Sequence, residues 1–404
     1  MHDTYPAWTN LRALRHMSAG LVFFTLISLT VRSASGDMYD FTLVASGSTS
    51  NFGNLGIYPG LNNNDQVSYV TRSSSTNGNI HRWDAAAPAT PITLGSGSFI
   101  SHVPINDSGA IAYNSAGSRG YIADDSGVTE LFNNSFGTNV YGVNNSGDVV
   151  AALKASNGDY EVRVRRDGGS SRRVFSDASS GEYSDYGSGG APSPEINGSG
   201  DVAVRGRLRS TSLDGIYVHT STGIVTIDDA SGPLRQFGNI VDINDAGDVA
   251  YYGTPDSAVS SAVRDFYIYE SGVGSSAVVS NADFDYLSEA GLVINNNRDF
   301  VFGGSAGGVA GLFDGSNPLT DRVISIGDTL DGSSITSLLI RRGMLNDSGN
   351  FVFSAWLDDD NNGTADRNAI FFATAAAVPE PSSLALSAMG VLAVLAQRRR
   401  RKKA

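Results

Sequence analysis

Asp358, Asp360, Asn362 and Asp366 place oxygen side chains at positions 1, 3, 5 and 9 of a loop, and Gly363 stands at position 6. Hard cations such as Ca2+ take several oxygen ligands from such a loop, with a glycine at its sharp turn. Position 12 should carry a bidentate acid, but Ala369 occupies it and opens a β-type run. The spacing therefore predicts an incomplete calcium loop, and the competing reading is a polar hairpin between Trp356-Leu357 and Ile370-Phe371. No other cofactor is expected.

Other chemistry is sparse. The chain has no cysteine, which removes thiol nucleophiles, Cys-ligated metals and disulfides. The body holds His81, His102 and His219, with no His-x-x-x-His pair for zinc and no phosphate loop. No Gly-x-Ser-x-Gly elbow opens a helix, so no catalytic residue is expected and the chain reads as a non-enzyme. Arg163, Arg165, Arg166, Arg172 and Arg173 cluster on a hairpin, either as solvated charge or as a contact for an anionic polysaccharide.

What must hold such residues is a repeat. Seven stretches share an aliphatic residue, Asn, two small or polar residues, usually Gly, and then an alternating apolar strand. Their turn residues are Asn62, Asn106 with Gly109, Asn144 with Gly147, Asn197 with Gly200, Asn244 with Gly247, Asn295, and Asn346 with Gly349. The spacings between asparagines are 44, 38, 53, 47, 51 and 51 residues, the range of propeller blades. An Asn side chain bonds its own backbone two residues on, and Gly accepts the positive φ that closes the turn. The strand that leaves alternates, which predicts one buried face. Asp65 and Arg298 replace the glycine in the first and sixth copies, and a one-residue shift of the turn is expected there. Three further strands per unit predict an all-β, seven-bladed β-propeller, with other β-repeat arrays as the alternative. The last unit lacks strands at its C-terminal side. The segment Tyr39–Ala45 has the pattern to complete it, leaving no free sheet edge.

The ends differ from the body. Arg12, Arg15 and His16 precede the apolar run 19–31, and small residues follow. That order predicts a signal peptide over 1–36, cut by signal peptidase after Ser35 or Gly36, with a retained anchor as the alternative. The β-repeat domain spans 37–376, and a tail spans 377–404. Pro379, Glu380 and Pro381 come first, then a short apolar helix over about 384–396, expected to be transmembrane. The basic block Arg398, Arg399, Arg400, Arg401, Lys402 and Lys403 stays cytoplasmic by the positive-inside rule. Residues 37–378 carry a net charge of −20, which excludes nucleic acid as a partner.

This tail resembles the PEP-CTERM sorting signal of bacterial surface proteins, and the repeats are similar to Asn-x-x-Gly-x-x-x-Phe tandem-repeat proteins. The resemblance implies processing by an exosortase near the Pro-Glu-Pro. It also implies export to the surface or exopolysaccharide matrix of a Gram-negative-type bacterium, with anchoring through the tail before or instead of release. A plain tail anchor is the alternative. The expected partners are a polysaccharide or a surface protein, and the expected function is non-catalytic binding or structural display. The alternative is a propeller enzyme, a polysaccharide lyase or glycosidase. That would need paired acids or a His/Tyr/Arg cluster at one channel mouth.

Overall fold

The computed structural model describes residues 30–32 and 39–375, apart from the short segments 50–54, 57, 73–76, 89–91, 99–101, 116, 167, 186–191 and 259–262. The leader up to residue 29 and the tail from residue 376, with Pro379–Pro381, the apolar segment and the basic block, lie outside these residues. Among the described residues there is no helix, and so none long and apolar enough to cross a membrane.

Seven antiparallel sheets follow one another along the chain. Blade 3 is representative: Thr138–Val143, Asp148–Lys154, Tyr160–Arg166 and Arg172–Ser176 pair in order from the central channel outward. The strand before each Asn is thus the innermost strand of its own blade. Asn239–Asp242 lies in Leu234–Ile243 and so belongs to the first strand of blade 5, not to the end of blade 4. Blade 2 keeps three full strands, and its inner strand is reduced to the single bridge Ile105–Ile111.

The strand after each Asn is buried on both faces, not one. Seven residues beyond the Asn stand Tyr69, Tyr113, Ala151, Val204, Tyr251, Phe302 and Phe353, and all are buried. Their neighbours on the opposite face, Ser68, Ala112, Val150, Ala203, Ala250, Val301 and Val352, are buried too. Blades stack face to face, so in every blade but the third, where Ala151 faces away from Val150, the alternation encodes a larger face against a smaller one rather than inside against outside.

The ring closes as the sequence predicts. Tyr39–Ser48 joins blade 7 as its outer strand, in antiparallel register with Arg367–Ala375 from Tyr39–Ala375 to Ser48–Arg367. Phe41 meets Phe353 edge-on at 5.7 Å, and the Tyr39 hydroxyl donates to Asp314 of blade 6 at 3.0 Å. Thr30–Arg32 pairs outside this strand, inside the predicted leader.

Candidate functional site

Each repeat asparagine is buried at one mouth of the channel. Asn144 shows the geometry: its Oδ1 accepts the N–H of Ser146 at 3.1 Å and of Asp148 at 2.9 Å. Its Nδ2 donates to the Asn197 carbonyl of the next blade at 3.0 Å. The same inter-blade bond runs from Asn62 to Asn106, Asn106 to Asn144, Asn197 to Asn244, Asn244 to Asn295, Asn295 to Asn346, and from Asn346 back to Asn62. The seven side chains form one closed belt. An Asn side chain has both a donor and an acceptor, which lets one residue type close its own turn and grip its neighbour.

A second belt lies above it. The residues after each Asn run Asn63, Asp107, Asn145, Gly198, Asp245, Asn296 and Asp347. Carboxylate or amide oxygens here accept the preceding blade's N–H, as in Asn63 N–H to Asp107 (2.9 Å), Asp245 N–H to Asn296 (2.7 Å) and Asp347 N–H to Asn63 (2.9 Å). Asn and Asp alternate so that amides donate to carboxylates, as Asn296 does to both Asp245 and Asp347. A ring of odd number cannot alternate throughout, and Gly198 occupies the break. A Cβ there would stand 2.7 Å from the Asp245 carboxylate.

The turn glycines Gly109, Gly147, Gly200, Gly247 and Gly349 take φ between 76° and 82°. The expected register shift at the two exceptions does not occur: Asp65 and Arg298 adopt φ of 57° and 66° themselves. Each uses its side chain across a blade seam. The Asp65 carboxylate accepts from Asn346 at 2.8 Å and Asn350 at 2.9 Å. Arg298 pairs with the buried Asp248 at 2.7 Å and with Glu270 at 2.7 Å. Cross-blade bonding offsets the left-handed strain.

Deeper in the channel, Arg342 reaches from blade 7 to blade 4. Its guanidinium lies 3.1 Å from Glu195 and donates to the carbonyls of Ser193 (2.9 Å) and Pro194 (3.1 Å). Asp242 is buried nearby, accepting the N–H of Ile294 at 3.0 Å and of Ile243 at 3.1 Å. Burial pushes Glu195 up to about 8 and Asp242 up to about 6, since one arginine faces two carboxylates away from water. Gly142 leaves room for Glu195, whose carboxylate oxygen would stand 2.5 Å from a Cβ at that position.

A second cavity lies on the side of the channel away from the belts. Residues four before six of the seven asparagines, namely Tyr58, His102, Val140, Ser193, Ile240 and Arg342, line a cavity of about 180 Å³ with Tyr141 and Arg341. Arg341 lies over the Tyr58 ring at 4.0 Å, and Arg342 over Tyr141 at 4.9 Å. Among the described residues Arg341 has no acidic partner, and its Nε is buried without a hydrogen bond. Burial and the two arginines hold His102 down at about 3, so its imidazole is neutral and its Nδ1 has no partner. Reading sequence motifs missed this cluster. Aligning the repeats on their asparagines and reading four positions back would have found it.

The remaining sequence candidates fall elsewhere. His81 lies between the hydroxyls of Thr71 (2.7 Å) and Thr93 (3.0 Å), and His219 packs edge-on to Phe175. Gly303-x-Ser305-x-Gly307 has the letters of a nucleophile elbow, but Ser305 sits in strand Phe300–Ala306 opposite Ala310. In the arginine hairpin, Arg163 pairs with Glu161 (2.7 Å), Arg166 with Asp148 (2.9 Å) and Arg173 with Glu182 (3.5 Å). Arg165 and Arg172 bond backbone carbonyls. Their charge is largely spent within the fold.

The acidic loop does converge. Oxygens of Asp358, Asp360 and Asp366 lie within 4.8 Å of one another, and Gly363 turns there with φ of 85°. Asp358 also accepts the N–H of Asn362 (3.2 Å) and Gly363 (2.6 Å), while the Asn362 amide donates to Asp360 (3.1 Å). The residues fit a hard cation in kind, and the loop's own N–H groups already use part of their capacity.

Comparison with known structures supports the architecture. The β-propeller domain of the Trilobed protease from Pyrococcus furiosus, described as having an open velcro topology, matches with a TM-score of 0.50 at 10% identity. The match covers 74% of this chain and 99% of that one. The Pyrococcus horikoshii acylaminoacyl peptidase (13% identity, TM-score 0.48) covers 76% of this chain and 51% of that one. The Dos1 propeller (10% identity, TM-score 0.44) covers 81% and 95%. At such identities the likeness concerns the fold alone. No curated protein matches the chain. Residues 377–401 match the PEP-CTERM protein-sorting motif, a signal processed by exosortase. The chain is thus a seven-bladed β-propeller bearing a PEP-CTERM sorting motif, an exported protein directed to the bacterial cell surface.

Proposed function

We propose that this protein is a non-catalytic surface propeller that captures an anionic group of a glycan or protein partner in the channel cavity away from its Asn and Asp belts. The observation that supports this reading is Arg341, a guanidinium without an acidic partner among the described residues, framed by Tyr58, Tyr141 and Arg342. At the other mouth the Asn and Asp side chains already spend their hydrogen bonds on one another and on the next blade. A guanidinium is suited to planar, bidentate recognition of carboxylates. On this reading a signal peptide over 1–36 is removed, the tail engages the membrane through 384–396, and processing near Pro379 releases the body to the surface or matrix.

A lyase reading draws on the same His102, Tyr58, Tyr141 and Arg342 constellation. Binding and turnover are separated by mixing the protein with acidic oligosaccharides and analysing both affinity and the recovered chains. Retention of intact oligosaccharide, lost in Arg341→Gln, is the expected result. Shortened or unsaturated products would replace binding by catalysis.

The convergence of Asp358, Asp360 and Asp366 supports a weak Ca2+ site that rigidifies the loop. Calcium should raise the melting temperature of the wild type and leave Asp360→Asn unchanged. Equal curves with and without calcium would remove this reading.

A further inference from the structure

Tyr113 of blade 2 and Tyr251 of blade 5 occupy the same place in the repeat, seven residues past Asn106 and Asn244. Each stacks on the tyrosine opposite it in the sheet, Tyr113 on Tyr121 at 5.2 Å and Tyr251 on Tyr267 at 5.7 Å. Both are buried, with only 1% of the residue exposed. Their hydroxyls differ. That of Tyr251 donates to Asp228, on the outer strand of blade 4, at 2.8 Å. It also lies 2.8 Å from the Ser275 hydroxyl, on the outer strand of its own blade. That of Tyr113 has no hydrogen-bond partner among the described residues. A buried hydroxyl left without a partner costs stability, so its presence needs a reason.

Both groups that satisfy Tyr251 are replaced around Tyr113. Asp228 stands opposite Ile216, beside the register shift in its strand pair, and the residue at that place in blade 1 is Gly95, opposite Ile80. Ser275 stands opposite Tyr269, two residues past the stacked tyrosine, and the residue at that place in blade 2 is Val128, opposite Ala123. A Cβ on Gly95 would lie 3.2 Å from the Tyr113 hydroxyl and 3.5 Å from Val128, so a side chain there would occupy the space in front of that hydroxyl. Without one, the seam between blades 1 and 2 opens into a cleft of about 530 Å³, in the size range of small-ligand sites.

The wall of this cleft has one chemical character. Asn79, Thr93 and Ser96 add amide and hydroxyl groups to that of Tyr113, while Leu94 and Val128 add small apolar faces. Among the described residues no charged side chain lines it. Burial pushes the Tyr113 phenol up to about 12, so it keeps its proton and can donate. An ionic ligand would find no counter-charge here, and the body of net charge −20 would repel an anion. A peptide would need deeper apolar pockets for its side chains. A pyranose offers what the wall matches, hydroxyls around a ring with apolar C–H faces.

We infer that the cleft between blades 1 and 2 binds a neutral saccharide, one of whose hydroxyls takes the place of Asp228 as acceptor for Tyr113. The site is separate from the cavity that Arg341 lines, and it stands if that residue proves idle.

The test is calorimetry on the full chain in a zwitterionic, sugar-free detergent, with cellotriose, maltotriose and mannotriose in turn. Binding of a neutral trisaccharide is expected, and trigalacturonate should not compete with it. Gly95→Asp restores the group that closes the other seam and should abolish binding. Tyr113→Phe removes only the hydroxyl and should weaken binding about fivefold, the worth of one hydrogen bond, with an unchanged melting temperature. That variant decides the matter should Gly95→Asp fail to fold. Its counterpart Tyr251→Phe should lower the melting temperature and leave binding as it is. Arg341→Gln should also leave it as it is. Failure of all the neutral sugars to bind, competition by trigalacturonate, unchanged affinity in folded Gly95→Asp or in Tyr113→Phe, or loss of neutral binding in Arg341→Gln would each overturn the assignment.

Discussion

A buried asparagine that bonds its own turn and the next blade concentrates two structural tasks in one side chain. Removing it leaves several groups without partners. In Asn144→Ala the N–H groups of Ser146 and Asp148 lose their acceptor, and the Asn197 carbonyl keeps only the N–H of Gly200. The expected cost is about 2–3 kcal/mol, given the penalty for orphaned buried groups, and urea denaturation measures it. A second residue-scale prediction concerns protons. Glu195 and Asp242 are raised in the folded protein, so they favour folding fully only below the ordinary carboxylate range. That contribution is lost as pH rises through about 6 and then about 8. Relative to wild type, Glu195→Gln should therefore gain stability as pH rises from 6 to 9. Parallel melting curves for the two proteins across that window would show that Glu195 carries its proton no differently in the folded and unfolded states.

At the scale of elements, closure rests on the N-terminal strand. Phe41 is buried at its centre, packed on Phe353, and Phe41→Ala should cost about 3–5 kcal/mol while opening the ring edge. Proteolysis would then begin at the seam between Tyr39–Ser48 and Arg367–Ala375, and unchanged protease resistance would argue against this closure. The repeat, its period and this closing strand were all legible in the sequence, because turn chemistry and strand alternation are local properties. The inter-blade belt was not legible, since local Asx chemistry already accounted for every asparagine. Nor were the roles of Asp65 and Arg298, which violate a local rule in order to bond across a seam. Replacing Arg298 by Gly should relieve the backbone yet lower stability, by leaving Asp248 without its cation. A rise in melting temperature would show that the strain outweighs the pairing.

For the whole molecule, the arrangement is polar in the directional sense. The Asn and Asp belts ring one channel mouth, around a cavity of about 160 Å³, and the opposite side carries the cavity that Arg341 and Arg342 line. Those cavities escaped sequence reading because their residues come from different blades, with Arg342 meeting Ser193 across the channel. The sorting tail, by contrast, is contiguous and was read directly, and residues 377–401 match a sorting motif. The central claim is that this propeller is processed at its ends and displayed. Mass spectrometry of both termini, on protein from the surface fraction of native cells, tests it most directly. The account predicts an N-terminus just after Ser35 or Gly36 and a C-terminus near Pro379. Intact protein ending in Lys402-Lys403-Ala404, found only with membranes, would contradict it and leave a tail-anchored propeller instead.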